Sequence, residues 1–534
     1  MLIKFAISPY FGNLCVSGNF NRRTHFMTKK AMILACFIII KFLLQYFLIN
    51  PEYDLQRDEY LYLDQANHLA WGYSSVPPVT SWISNIVFYL GNTIFWVRFF
   101  PALFGALTIA IVWKAIEELK GSLFSLILGA TCVLFSCFLR LNQLYQPNSL
   151  DALSWTVFYF SVIKYLHTEK PKWLYIGAIV FAIGFLNKYN ILFSLMGLLP
   201  AVLISKHRRV FINRNFLFSV LLGLALIAPN MIWQYYNQFP VIHHMKVLAG
   251  TQLVNVNRWN FVKDQIFYFS GSFLVIISAL YALLFYRPFR IYRCFFWTMI
   301  FTLIIFIYLR AKSYYAIGLY PIYISFGSVF LGDILKAGWK KYLQLALISI
   351  PVLFYIFLFN LFFSLKSPEY IIAHTEAYKE LGLLRWEDGR DHVLPQDFAD
   401  MLGWKELAYK VDTIYSRLPN SEQTLILCDN YGQAGAINYY GKHVKKAAVS
   451  FNADYINWFN LEKRYDNLIR IKSYENKDNE LKTSSPFFDS ARIGGSITNF
   501  LAREYGTTIF IFRKARIDLR TRIQNEIDET KNYR

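Results

Sequence analysis

Apolar runs long enough to cross a bilayer recur through the first two thirds of this 534-residue chain. Inside a membrane every backbone N–H and C=O must be paired within the segment, so such runs fold as spanning helices of roughly 20 residues. Eleven spans are predicted, near residues 31–49, 98–116, 122–139, 151–166, 173–187, 190–204, 216–233, 266–285, 294–309, 315–335 and 343–364. A chain that is 55% hydrophobic and 19% aromatic is too apolar for a soluble protein of this size. The formal charge of +20 invites a nucleic-acid partner. The basic residues instead fall in short clusters between the apolar runs, the pattern that orients membrane proteins, so nucleic acid is excluded.

The dense clusters are Lys206-His207-Arg208-Arg209 with Arg214, Arg287/Arg290/Arg293 and Lys336/Lys340/Lys341, joined by Lys29-Lys30 and Lys170/Lys172. Eleven spans put all of them on one side, expected to be cytoplasmic, with the N-terminus. The loop holding Asp58, the loops 140–150 and 234–265, and everything after residue 365 then face outward. Arg98, Arg140, Lys188, Lys246, Arg258, Lys263, Arg310 and Lys312 break the charge rule. Singly they read as snorkelling helix ends; together they ring the outer mouth with positive charge suited to an anionic headgroup. Residues 50–97, with Trp71, Pro77-Pro78 and Trp82, read as short interfacial helices, and 83–97 as part of that set rather than a further span.

Residues 1–26 lack the pattern of a signal peptide and are read as an N-terminal extension of uncertain role, because Met27-Thr28-Lys29-Lys30 is an ordinary membrane-protein start. Residues 27–364 then form the transmembrane domain. Past 365 the pattern changes to short strands near 424–428, 444–451, 467–472 and 507–512, with helices near 406–418 and 433–440, predicting a soluble α/β domain over 365–534. Of six cysteines only Cys428 lies there, so that domain holds no internal disulfide. Tyr431-Gly432-Gln433-Ala434-Gly435-Ala436 follows a strand and opens a helix, but it has neither a P-loop lysine nor the dinucleotide glycine set and reads as a glycine-permitted turn.

The pair Asp58-Glu59 follows the first span directly. Charge this close to hydrocarbon costs roughly 2.5–3.5 kcal/mol per residue even on the lenient insertion scale, which points to chemistry at the membrane–water boundary. Arg57-Asp58-Glu59-Tyr60, with His68-Leu69-Ala70-Trp71-Gly72-Tyr73 and Pro77-Pro78, resembles the first outer loop of bacterial family-39 glycosyltransferases. These are relatives of the dolichyl-phosphate-mannose–protein mannosyltransferases and of the lipid A aminoarabinose transferase. The resemblance continues in order at Pro147-Asn148-Ser149-Leu150-Asp151, Leu186-Asn187-Lys188-Tyr189, Pro229-Asn230-Met231-Ile232-Trp233-Gln234, Lys312-Ser313-Tyr314-Tyr315 with Tyr320-Pro321, Leu394-Pro395-Gln396-Asp397 with Gly403-Trp404, and Asn430–Ile437. It implies an α-helical polytopic GT-C fold of about eleven transmembrane helices with a C-terminal extracytoplasmic α/β domain. It also implies an outer active site in a bacterial inner membrane, a polyprenyl-phosphate-linked sugar as donor, and an inverting transfer to an envelope glycan, lipid or protein. Asn187 stands where the family has a small hydroxyl residue, and Phe451–Tyr455 replaces a segment with glycine and histidine. Both departures bear on the acceptor more than on the donor chemistry.

With such a donor, transfer needs a base beside the acceptor and positive charge beside the departing phosphate. Asp58 is the candidate base, Glu59 shapes or shares its role, and Asp151 holds the acceptor or orients Asp58. As alternatives, Asp58 caps an interfacial helix and Asp151 complements a helix N-terminus. Either carboxylate is a candidate ligand for a divalent cation, the one cofactor considered. Lys188 and Lys312 are the candidate phosphate ligands, with Arg98, Arg258 and Arg310 in reserve. Tyr60, His243, His244 and Tyr315 are candidate acceptor or sugar contacts; the adjacent histidines do not match a helical metal motif. A flippase for lipid-linked saccharides and an inert sugar-lipid-binding relative are the competing readings.

Overall fold

The computed structural model describes residues 28–532, so the N-terminal extension expected at 1–26 lies outside the described residues. Each of the eleven predicted spans is built from helix. Five helical stretches are long and apolar enough to cross a membrane unaided: Lys29–Phe47, Ile94–Glu118, Arg214–Tyr236, Ser313–Ile334 and Gly338–Phe362. A further span is a pair, Arg258–Tyr268 and Ser270–Phe285, bent by 65°. The bundle is completed by Asn148–Thr168 and by the shorter apolar helices Leu123–Leu134, Lys172–Asn187, Tyr189–Leu203 and Cys294–Tyr308. The chain is a multi-pass membrane protein.

Two segments depart from simple apolar helices in ways that matter. The segment expected as 122–139 stops at Leu134, where the Ser136 hydroxyl bonds to the Val133 carbonyl (2.8 Å) and the Cys137 N–H to the Tyr268 carbonyl (3.2 Å). The chain then makes a short turn, Phe138–Leu141, that carries Arg140. Residues 83–97 are not one helix. Val79–Tyr89 ends before Gly91 and Asn92, both with positive φ, and Ile94–Glu118 begins beyond them.

Small residues let the helices approach closely, the usual device in membranes, where no hydrophobic drive pulls helices together. A Cβ on Gly327 would lie 1.9 Å from the Val275 carbonyl oxygen, and one on Gly197 would lie 2.0 Å from the Thr302 hydroxyl. Trp113, Trp155, Tyr159 and Tyr323 are buried in the core of the same bundle.

Beyond the bundle lies a five-stranded sheet in the order β2-β1-β3-β5-β4, with β1 Thr424–Cys428, β2 Ala448–Ser450, β3 Asn467–Lys472, β4 Phe488–Ser496 and β5 Thr508–Ala515. β1 pairs parallel with β2 and β3; β5 runs antiparallel between β3 and β4. Alternation along β1 builds two cores. Ile426 and Cys428 pack with Leu407, Val411 and Ile437 on one face, while Leu425 and Leu427 pack with Leu519, Ile523 and Ile527 on the other. The first of these cores also takes in Tyr53, Leu61 and Leu144, so the sheet domain is seated on the loops of the bundle.

The Gly327 contact generates a stability prediction. Gly327→Ala forces a Cβ into backbone, and overpacking of this kind costs about 1–3 kcal/mol. Gly223→Ala, whose nearest neighbour would be 3.8 Å away, should cost far less. Size-exclusion of heated, detergent-solubilised protein should show an earlier loss of the monodisperse peak for the first variant only.

Candidate functional site

The helix Arg57–Asp64 opens on a reciprocal cap. The Gln56 side chain accepts from the Asp58 N–H (2.9 Å), and the Glu59 carboxylate accepts from the Gln56 N–H (2.6 Å). Neighbours on a helix are a little over a quarter-turn apart, so the two carboxylates face different surroundings. Glu59 points inward and is fully buried. It accepts from Arg98 Nη1 (2.7 Å) and the Tyr145 N–H (2.6 Å). Arg98, itself buried, also donates to the Gln143 carbonyl. Burial raises the Glu59 carboxyl above its ordinary range, and Arg98 and the two N–H donors oppose that. Glu59 and Arg98 therefore act as a structural clamp, away from the cavity in which the rest of the site lies.

Asp58 points the other way, into a cavity of roughly 900 Å³ between the bundle and the sheet domain. Its Oδ1 accepts from the Tyr431 hydroxyl (2.6 Å), and Gln146 Nε2 stands 3.5 Å from Oδ2. Tyr431 comes from the turn after β1, and the Arg57 guanidinium lies 4.4 Å over its ring. The turn read as glycine-permitted thus delivers a side chain onto the candidate base.

Lys188 lines the same cavity. It donates to Asn148 Oδ1 (2.7 Å) and sits 4.5 and 5.1 Å over the rings of Tyr315 and Tyr314. Among the described residues no carboxylate forms an ion pair with it. Lys312 lies on the same wall, paired with Glu387 at 2.5 Å. Arg140 meets Asp397 at 3.2 Å, and Arg503 Nη1 meets both Asp400 oxygens at 3.1 and 3.2 Å. Burial pushes Asp400 up to about 6, against the pull of Arg503 and Arg57. His244 and Tyr315 also face the cavity, as does Ala453 from the stretch Phe451–Tyr455.

Asp151 is buried and not on the cavity wall. Its oxygens accept from Trp155 Nε1 (3.1 Å) and Asn190 Nδ2 (2.8 Å), and Asn190 also donates to the Tyr315 carbonyl (2.9 Å). It supports the wall carrying Tyr315. The site does not fit a cation shared by Asp58 and Asp151, since both Asp151 oxygens face N–H donors and Asp58 faces a hydroxyl and an amide. Among the described residues no group of three or more His, Cys, Asp or Glu is placed to hold a metal.

Several sequence candidates lie elsewhere. Arg258 donates to the Ile307 carbonyl (3.0 Å) at a helix end, and Arg310 occupies a positive-φ turn off the cavity wall. His243 does not line the cavity. Tyr60 is fully buried between Trp404, Tyr439 and Tyr440. Asn187, the departure from the family wording, donates to the Pro147 carbonyl (2.8 Å) and so holds the turn before Asn148. Sequence reasoning did not assign Arg57, Arg140, Gln146, Asn148, Glu387, Asp400, Tyr431 and Arg503 to the site. Arg57, Asn148 and Tyr431 stand inside motifs already singled out and Arg140 among the cations of the outer mouth, but nothing local marks the others as partners of Asp58 or the lysines.

A family model described as dolichyl-phosphate-mannose-protein mannosyltransferase matches residues 75–233. The structure is similar to ArnT from Cupriavidus metallidurans bound to undecaprenyl phosphate, with a TM-score of 0.59 and 13% identity over 90% of this chain and 98% of that one. The apo state of the same protein gives 0.59 and 13% over 91% and 98%. No curated protein matches in sequence. The likeness spans nearly the whole of both chains and shows that the two share the GT-C fold.

The opposite roles of the adjacent carboxylates can be separated by stability. Glu59→Gln leaves Arg98 buried without its counter-charge and should destabilise by about 3–5 kcal/mol. Asp58→Asn, on the cavity wall, should melt close to wild type in the same detergent.

Proposed function

We propose that this protein is an integral-membrane glycosyltransferase. It moves a sugar from a polyprenyl-phosphate carrier to an acceptor hydroxyl on an envelope glycan, lipid or protein, with inversion. The observation that carries this reading is the cavity into which Asp58, Lys188 and Lys312 all face, at the seam between bundle and sheet domain. The carrier is supported by the undecaprenyl phosphate bound to the similar ArnT structure.

In this reading Asp58 takes the acceptor proton as the acceptor oxygen attacks the anomeric carbon. The bond from that carbon to the phosphate oxygen breaks, and its electron pair leaves with polyprenyl phosphate. The Tyr431 hydroxyl orients Asp58 through its 2.6 Å hydrogen bond. Lys188 and Lys312 face the departing phosphate, where positive charge counts most as negative charge develops. Lys312 starts paired with Glu387, so the phosphate takes the place of a carboxylate there. The basic clusters support an active site and sheet domain outside and an N-terminus inside, and the resemblance to bacterial relatives supports a bacterial inner membrane as the setting. A flippase would leave Asp58 without a task; only a transferase releases free polyprenyl phosphate.

Asp58→Asn should cut release of polyprenyl phosphate by 10²–10⁴-fold, the usual worth of a general base; a variant keeping more than about a tenth of the rate would remove Asp58 from that role. Steady-state kinetics with varied donor test the cations. Lys188→Met and Lys312→Met should raise KM and lower kcat, because the same charge serves ground state and transition state. Glu387→Gln should lower the donor KM, and only when Lys312 is present. Topology is checked separately: a reporter active only in the cytoplasm should work when fused after Arg209 and be silent after Tyr370.

A further inference from the structure

A second cavity, about 330 Å³, sits at the other end of the bundle. Phe158 and Tyr165 wall it from the later half of the helix Asn148–Thr168, and Trp173 and Gly177 from the early half of Lys172–Asn187. Val202, near the end of Leu192–Leu203, and Gly223, in the early half of Arg214–Tyr236, complete it. The Asp58 cavity takes Asn148 from the start of the first helix and Lys188 from just past the end of the second, so the two cavities occupy opposite ends of shared helices.

The walls are almost wholly hydrocarbon. No carboxylate, lysine or arginine lines it; the polar groups include the Tyr165 hydroxyl and His207, whose ring nitrogen bonds to the Ile291 carbonyl at 2.9 Å. An empty slot of this kind forfeits dispersion contacts, and water finds too few polar partners in it. The rim is different. Lys206, Arg208, Arg209 and Arg214 are exposed on the connection that closes this end, and Lys170 and Lys172 are exposed on the neighbouring turn. Among the described residues none of these six forms an ion pair with a carboxylate other than through long-range attraction. Glu169 is exposed beside Lys170 in sequence, while Glu118 is taken by Lys164 (2.5 Å) and His167 (2.6 Å). Hydrocarbon walls under an uncompensated positive rim match one class of molecule, a hydrocarbon chain carrying an anionic head.

We infer that this cavity binds an anionic phospholipid of the bilayer, with an acyl chain in the slot and the headgroup phosphate against Arg208, Arg209 and their neighbours. The inference is independent of the catalytic reading. A bound lipid here would brace four helices that also carry Asn148 and Lys188.

Native mass spectrometry of delipidated full-length protein, given phosphatidylglycerol or phosphatidylcholine, tests it. Wild type should retain phosphatidylglycerol in clear preference. Each basic residue near an anionic surface contributes about 1 kcal/mol, so the double variant Arg208→Gln/Arg209→Gln should retain it roughly thirtyfold less. Gly223→Leu fills the slot, and its Cβ meets nothing nearer than 3.8 Å, so it should reduce retention of both lipids. Equal retention of the two lipids by wild type would overturn the inference. So would undiminished retention by both variants, or displacement of phosphatidylglycerol by stoichiometric polyprenyl phosphate, which would give the slot to the donor chain. The arginine variant changes only exposed side chains and decides the question even if Gly223→Leu fails to fold.

Discussion

A carboxylate that never meets solvent holds the working end of this molecule together. Glu59 gathers the N-cap of its own helix, the start of Ile94–Glu118 and the turn at residues 143–145 through Gln56, Arg98 and Tyr145. Burying that charge is costly, and the cost is offset only while every lone pair is met. The three donors come from three separate segments, a helix N-cap, the start of a long helix and a turn, which this one carboxylate ties together. With them fixed, Asp58 has one direction left to face. The helical turn that sends Glu59 inward sends Asp58 into the cavity, so a buried structural charge sets the orientation of an accessible one.

The bundle was legible in the sequence because a bilayer leaves the backbone almost no alternative to helix. All eleven spans are helical, and the misjudged parts are those where side chains satisfy the backbone instead. Leu123–Leu134 ends early because Ser136 and the Tyr268 carbonyl take up the freed groups, which apolar periodicity does not reveal. The edge strand β4 was missed for a related reason. Its sequence, Phe488-Asp489-Ser490-Ala491-Arg492-Ile493-Gly494-Gly495-Ser496, has little apolar alternation because much of the strand is exposed, and its pairing with β5 supplies what local propensity does not.

The site was legible in part. Motif wording located Asp58, Lys188, Lys312 and Tyr315, the outer-loop position located His244, and the structure brings all five to one cavity. The same wording could not tell Asp58 from Glu59, since adjacent residues share a motif but not a face. Arg98 was drawn into the cation set by its place at an outer helix end, and it proved to be the partner of Glu59. Arg57, Tyr431 and Arg503 escaped notice because their roles depend on contacts across hundreds of residues, such as the 373-residue separation between Tyr431 and Asp58.

The charges of the cavity follow a division between the two parts of the chain. Glu387, Asp397 and Asp400, which pair with Lys312, Arg140 and Arg503, all come from one stretch leading into the sheet domain. That stretch is tied down by Trp386, which stacks on His392 at 3.7 Å and lies 5.6 Å from the Arg503 guanidinium, and by Asn255, which donates to the Glu387 carbonyl at 3.0 Å. Without these carboxylates, the lysines and arginines at the mouth would repel one another across a cavity where the dielectric is lower than in bulk water. With them, Lys312, Arg140 and Arg503 each have a counter-charge in contact, whereas Lys188 is held by an amide oxygen and two aromatic faces, with the buried Asp151 acting on it only through space. Amide and ring partners steady a cation without neutralising it. In the proposed reaction an anion reaches Lys188 without displacing a carboxylate but must displace Glu387 to reach Lys312, which makes the stretch leading into the sheet domain part of the binding equilibrium rather than a cover over it.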